Sequence, residues 1–160
     1  MSQATVSRAR TYAIPEVRVL PLAPVIGRLL LSAIFILSGV MKFLSWEDTA
    51  GYMASQGIPN VDILLPIAAT AEIVGGLSLS LGWWARAGAL GLFLFLIPAT
   101  FVFHDFWTFP AAEQQNQMHH FLKNLAIMGG LATVFAFGAE PMSFDRLFAG
   151  RSDRRPAIGR

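Results

Sequence analysis

Glu72 is a carboxylate near the middle of an apolar run, LLPIAATAEIVGGLSLSLG, from Leu64 to Gly82. Whether that run fills a core or crosses a bilayer, a charge inside it is costly and should face a protein interior. On a helix Glu72 shares its face with the residues three and four away. These are Ala68, Ala69, Gly75 and Gly76, all small enough to let a neighbouring helix come close. Other polar groups beside apolar runs are Lys42, which shares a helical face with Ser38 and Gly39, then His104, and the string His119, His120, Lys123 and Asn124. If the apolar runs pack as two antiparallel pairs, Glu72, Lys42, Lys123, Asn124 and His104 gather in one half of a bundle. Such a group could hold the polar head of a lipid-soluble molecule, or pass a proton. The competing reading is structural, with Glu72 paired to Lys42, Lys123 or Asn124 as glue between helices, or with Lys42 snorkelling to an interface.

Other chemistries find less support. The chain has no cysteine, which excludes dithiol chemistry and thiolate-held clusters within it. His119 and His120 are adjacent and so point in different directions on a helix, unlike a helical metal pair. His104 and His119 could approach across a loop, with Asp105 and Glu113 nearby, but solvated interfacial side chains explain the same residues, and no metal site is expected. A haem between helices would want histidines deeper in two spans. No phosphate-binding loop, dinucleotide fingerprint or nucleophile–base motif is present, so no catalytic residue can be named.

The elements that position these groups follow from composition. Hydrophobic residues make up 54% of the 160 positions against 14% charged, and the mean hydropathy is +0.54. That balance departs from soluble usage toward a membrane protein. Four apolar windows, at 24–43, 64–82, 87–103 and 121–137, approach the roughly 20 helical residues needed to cross a bilayer. The predicted fold is therefore all-α, an integral membrane four-helix bundle. The sequence pI of about 9.5 does not mark a nucleic-acid surface, because the basic residues follow topology. Ten arginines, Arg28 and Arg86 among them, flank one side of a four-span path, with Arg28, one turn after Pro24, expected to snorkel to the headgroups there, and Lys42 and Lys123 flank the other. The positive-inside rule then puts both termini and the connection at Arg86 in the cytoplasm of a cytoplasmic (inner) membrane.

Between the spans, Ser45 and Asp48 suggest a capping box opening a short surface helix from Trp46 to about Ser55. Trp83–Arg86 is short enough to force an antiparallel hairpin. Pro98 predicts a kink in the third span. Ala111–Gln117 is expected to rise as a helix into the fourth span, on which His119, Lys123, Ala126 and Gly130 would share a face. Gly138 reads as a C-cap, and Ser143 or Asp145 as the start of a short helix. Gly39, Gly75, Gly76 and Gly130 are assigned to helix packing. The chain divides into a cytoplasmic N-terminal segment (1–20), a four-span domain (21–148) and a basic cytoplasmic tail (149–160).

Taken together, RLLLSAIFILSGVMKF, AATAEIVGGLSLSLGWWAR, FHDFW, FLKNLAIMGG and SFD, in this order over roughly residues 27–147, resemble the DoxX family of small four-span bacterial membrane proteins. The resemblance implies that Arg28, Gly39, Lys42, Glu72, Gly76, Gly82, Arg86, His104, Lys123 and Asn124 occupy recurring positions of the family. It also implies a link to redox chemistry. Members are often labelled oxidoreductases or quinol-oxidase-like, because some relatives belong to thiosulfate:quinone oxidoreductase assemblies and others associate with soluble redox enzymes in stress defence. No covalently bound cofactor is expected; quinone is the candidate ligand. The expected function is a quinone- or lipid-interacting subunit of a membrane redox or stress-response system, with the bilayer, a redox partner and a second copy of the chain as candidate partners and nucleic acid excluded. Two alternatives are a non-enzymatic scaffold recruiting soluble enzymes and, with less support, a small-solute or proton carrier.

Overall fold

A computed structural model describes residues 22–139 and 143–145. The expected N-terminal segment, the whole basic tail and most of the short helix expected from Ser143 or Asp145 lie outside these residues. Within them the structure is helical, with no strand. Five α-helices run in order: α1 (Ala23–Leu44), α2 (Trp46–Ser55), α3 (Val61–Leu81), α4 (Ala85–Phe103) and α5 (Ala111–Phe137), with a single 3-10 turn at Phe106–Thr108 between the last two. Four of them, α1, α3, α4 and α5, are long and apolar enough to cross a membrane.

Local sequence explains each boundary. Pro24 sits in the first turn of α1, where its missing N–H is not needed. Helix α3 ends at Gly82, whose φ of 65° closes the helix while the Trp83 N–H reaches back to the Ser78 carbonyl at 3.1 Å. The Ser78 hydroxyl, in turn, donates to the carbonyls of Trp83 and Trp84 at 2.7 and 3.1 Å, holding the hairpin into α4. Helix α4 passes through Pro98 without interruption. Helix α5 begins right after Pro110 and runs unbroken for 27 residues, so the polar segment from Ala111 and the apolar span form one rod. It ends at Gly138, with φ 81°. The Ser45–Asp48 capping box does not form. Ser45 is still tied to α1 through its N–H on the Met41 carbonyl at 2.8 Å, its side chain makes no capping bond, and the Thr49 hydroxyl donates to its carbonyl instead.

Close approach between helices depends on glycine at three of the four expected positions. A Cβ on Gly39 would lie 2.7 Å from the Ala69 carbonyl oxygen, and one on Gly76 would meet Ile36 and the Ser32 carbonyl. These two residues bring α1 against α3, the most extensive helix contact in the fold. Gly75 faces Leu92 and brings α3 against α4. Gly130 differs: its nearest neighbour, Leu31, is at an ordinary 3.4 Å, because α1 and α5 touch only lightly. The core joins Phe35, Leu79, Ala89, Leu92, Leu96 and Leu131. Outer faces are as apolar as the core, with Leu30 at 72% and Leu37 at 64% exposure. Only a hydrocarbon solvent accommodates that arrangement, and helices whose backbone bonds are internally satisfied suit it.

Candidate functional site

The site starts from the α1–α3 seam. Because Gly39 and Gly76 let these helices approach, Lys42 on α1 reaches Glu72 on α3, and its ammonium donates to both carboxylate oxygens, at 3.0 and 2.8 Å. Its third bond goes to Ser38 Oγ, one turn back on α1, at 2.7 Å. Glu72 is only 5% exposed, so the pair is largely withdrawn from solvent. Desolvation opposes such burial, and complete hydrogen bonding of the ammonium offsets it.

The pair lines a partly open cavity of about 430 Å³ to which all five helices contribute, α3 through Glu72. Most of its wall is apolar, supplied by residues such as Ile34, Met41, Phe95 and Ile127. Asn124 enters from α5 and His104 from the end of α4, so four of the five residues expected to form a polar pocket border one cavity. Asn124 Nδ2 donates to Thr100 Oγ1 at 3.0 Å, and the Thr100 hydroxyl donates onward to the Leu96 carbonyl at 2.6 Å. That chain fixes the amide orientation, since Thr100 has no proton left to give. His104 Nδ1 pairs with Gln117 Oε1 at 2.8 Å.

Lys123 is the exception. It is exposed and does not border the cavity. The physical reason is helix phase: Lys123 and Asn124 are consecutive, about 100° apart around α5, and Asn124 faces inward. The inward row of α5 is Gln117, His120, Asn124, Ile127 and Leu131, not His119, Lys123, Ala126 and Gly130. His120, rather than His119, therefore meets His104, their rings stacked at 5.0 Å and inclined by 14°. Among the described residues no cluster of three or more His, Asp and Glu side chains is arranged to hold a metal ion.

Helix α2 supplies one wall of the cavity. Thr49, Tyr52 and Met53 face it. Met53 is buried, and Tyr52 rests its ring on Phe103 at 5.6 Å and donates to the Phe103 carbonyl at 3.3 Å. Burial, reinforced by the charges of Asp105 and Glu113, pushes the Tyr52 phenol above its ordinary pKa. Nothing in the sequence marks Tyr52 or Thr100 as site residues; for Gln117 the one available signal is its place seven residues, two helical turns, before Asn124.

At the opposite end of the bundle, Arg28 departs from the expectation of a snorkelling side chain. It is 3% exposed, with its guanidinium against Gly82, which Ser143 also approaches, and coupled electrostatically to Asp145. Asp145 caps α4: its carboxylate accepts from the Trp84 N–H at 2.9 Å and the Ala85 N–H at 3.3 Å, and its own N–H donates to the Gly82 carbonyl at 3.0 Å. These bonds hold Trp84 at a φ of 52°. Arg86 lies beside Gly138 at the same end, exposed.

Fold and site together define a small four-span helical membrane protein with an ion pair lining a cavity near one end. The chain belongs to the DoxX family, whose model matches residues 23–105. It is similar to inner membrane protein YqjF of Escherichia coli (strain K12), 33% identical over 122 residues that cover 76% of this chain and 88% of the relative. It is also similar to inner membrane protein YphA of the same organism, 27% identical over 126 residues that cover 79% and 90%. No solved structure matches it.

Proposed function

We propose that this DoxX-family protein is a quinone- or lipid-interacting subunit of a membrane redox or stress-response system, placed in the inner membrane with both termini in the cytoplasm. One observation carries the reading: the Lys42–Glu72 pair borders a cavity whose remaining wall is mostly apolar. A few fixed polar groups in a concave apolar wall is the usual make-up of a small-molecule site, and about 430 Å³ is within the usual size range. A polar head would rest against the pair, beside Asn124 and His104, while an aliphatic chain follows Ile34 and Ile127. The relatives' names support the membrane assignment, and the ten arginines against two lysines support the orientation. The basic tail on which a scaffold would depend lies outside the described residues.

The test is extraction. Protein purified in mild detergent is analysed by mass spectrometry for bound quinone and lipid, in wild type and in Glu72→Gln. Stoichiometric ligand in the wild type, lost in the variant, is the expected result. Equal retention in both, with an intact bundle, leaves the pair a purely structural role.

A further inference from the structure

The hydrogen-bonding capacity left open at the charged pair of the cavity is lopsided. All three Lys42 protons are engaged, one on Ser38 and two on Glu72. Each Glu72 oxygen accepts one of these bonds, and a carboxylate oxygen has room for a second. The charged donor is thus saturated while the charged acceptor is not. Asn124 offers a second acceptor: one Nδ2 proton goes to Thr100, the other is uncommitted, and its Oδ1 makes no hydrogen bond among the described residues.

Resting on the proposal above that the cavity holds the head of a membrane amphiphile, we infer that the head is uncharged and donates a hydrogen bond: an alcohol or phenol whose hydroxyl is accepted by Glu72, with Asn124 as the second acceptor. An anionic head such as a phosphate or carboxylate is disfavoured. It would meet a carboxylate and a lysine with no proton left to share. A ring bearing only carbonyls or ethers would leave the Glu72 lone pairs unanswered, so of a quinone couple the reduced, hydroxyl-bearing quinol is the form that fits. A hydrogen bond to an ionised acceptor is about twice as strong as a neutral one, so the hydroxyl should be worth roughly tenfold in affinity.

Isothermal titration calorimetry on the full-length protein in a neutral detergent tests this with three probes of equal chain length: a para-alkylphenol, its methyl ether and an alkyl phosphate. The expected order is phenol tightest by roughly tenfold over the ether, with the phosphate weakest. Equal binding of phenol and ether, or tighter binding of the phosphate, overturns the inference while leaving an amphiphile site intact. Failure of all three probes to bind overturns it together with the reading on which it rests. Two variants locate the hydroxyl. Glu72→Gln weakens the acceptor and adds a donor, so the phenol preference should fall below about threefold. Asn124→Leu reduces it more modestly, and it retains the fold because the Thr100 hydroxyl keeps its bond to Leu96. A tenfold preference that survives in both variants overturns the assignment.

Discussion

Lys42 grips both carboxylate oxygens of Glu72 across the α1–α3 seam, at 3.0 and 2.8 Å. The two side chains are unequally placed, at 23% and 6% exposure. Removing either partner strands a charge, but the stranded carboxylate is the deeper one. Lys42→Met should therefore destabilise the bundle by about 3 kcal/mol, near the lower end for buried pairs because the lysine is partly exposed. Lys42→Met combined with Glu72→Leu should recover most of that loss. Unfolding of the four members of this cycle in detergent measures it, and strictly additive losses would contradict the pairing.

Glycine substitutions should sort by what a methyl group meets. Gly39→Ala places carbon against the Ala69 carbonyl, backbone that cannot rotate away, and should cost about 1–3 kcal/mol as α1 and α3 are wedged apart. Gly130→Ala meets only the end of Leu31 at 3.4 Å and should fall within about 0.5 kcal/mol of wild type. Thermal melts in detergent distinguish the two.

Tyr52 sets an alkaline limit on the closure of α2. Its neutral phenol is favoured in the fold by burial, then by Asp105 and Glu113. The contribution is intact below the ordinary value of 10.0 and is lost as pH rises through the higher folded value. The chain has two tyrosines, Tyr12 and Tyr52. Phenolate absorbance should show one of them titrating late, and Tyr52→Phe should remove that late step together with the alkaline loss of α2 docking.

Asp145→Ala takes both acceptors from the start of α4. A lost cap costs about 1 kcal/mol. Hydrogen exchange at the Trp84 and Ala85 amides should speed up, with little change at Lys42 and Glu72 at the far end. Unchanged exchange at these two amides would show that water caps the helix equally well.

The spans were legible because bilayer-crossing helices need long apolar runs, and α1, α3 and α4 begin and end within three residues of the windows read from hydropathy. The meeting of Lys42 with Glu72 was legible too, as one of several candidate pairings, because each stands on a face of small residues. The phase of α5 was not. With so little of that helix buried, hydropathy barely distinguishes its two sides, and the row through Lys123 looked as suitable as the row through Asn124. The burial of Arg28 is hidden from the sequence for a related reason. Position near a span end suggests an exposed cation, and nothing local signals that residues 143–145 return to cover it.

The bond from Asp145 to the α3–α4 turn spans about sixty residues of chain, and it bears on biogenesis. During synthesis the α3–α4 hairpin can insert and pack well before position 145 has left the ribosome. The Trp84 and Ala85 amides must then wait, hydrated, until nearly the whole chain has been made. A nascent chain stalled or truncated before residue 145 would hold four spans yet keep one helix entrance open, a difference a membrane quality-control protease could detect.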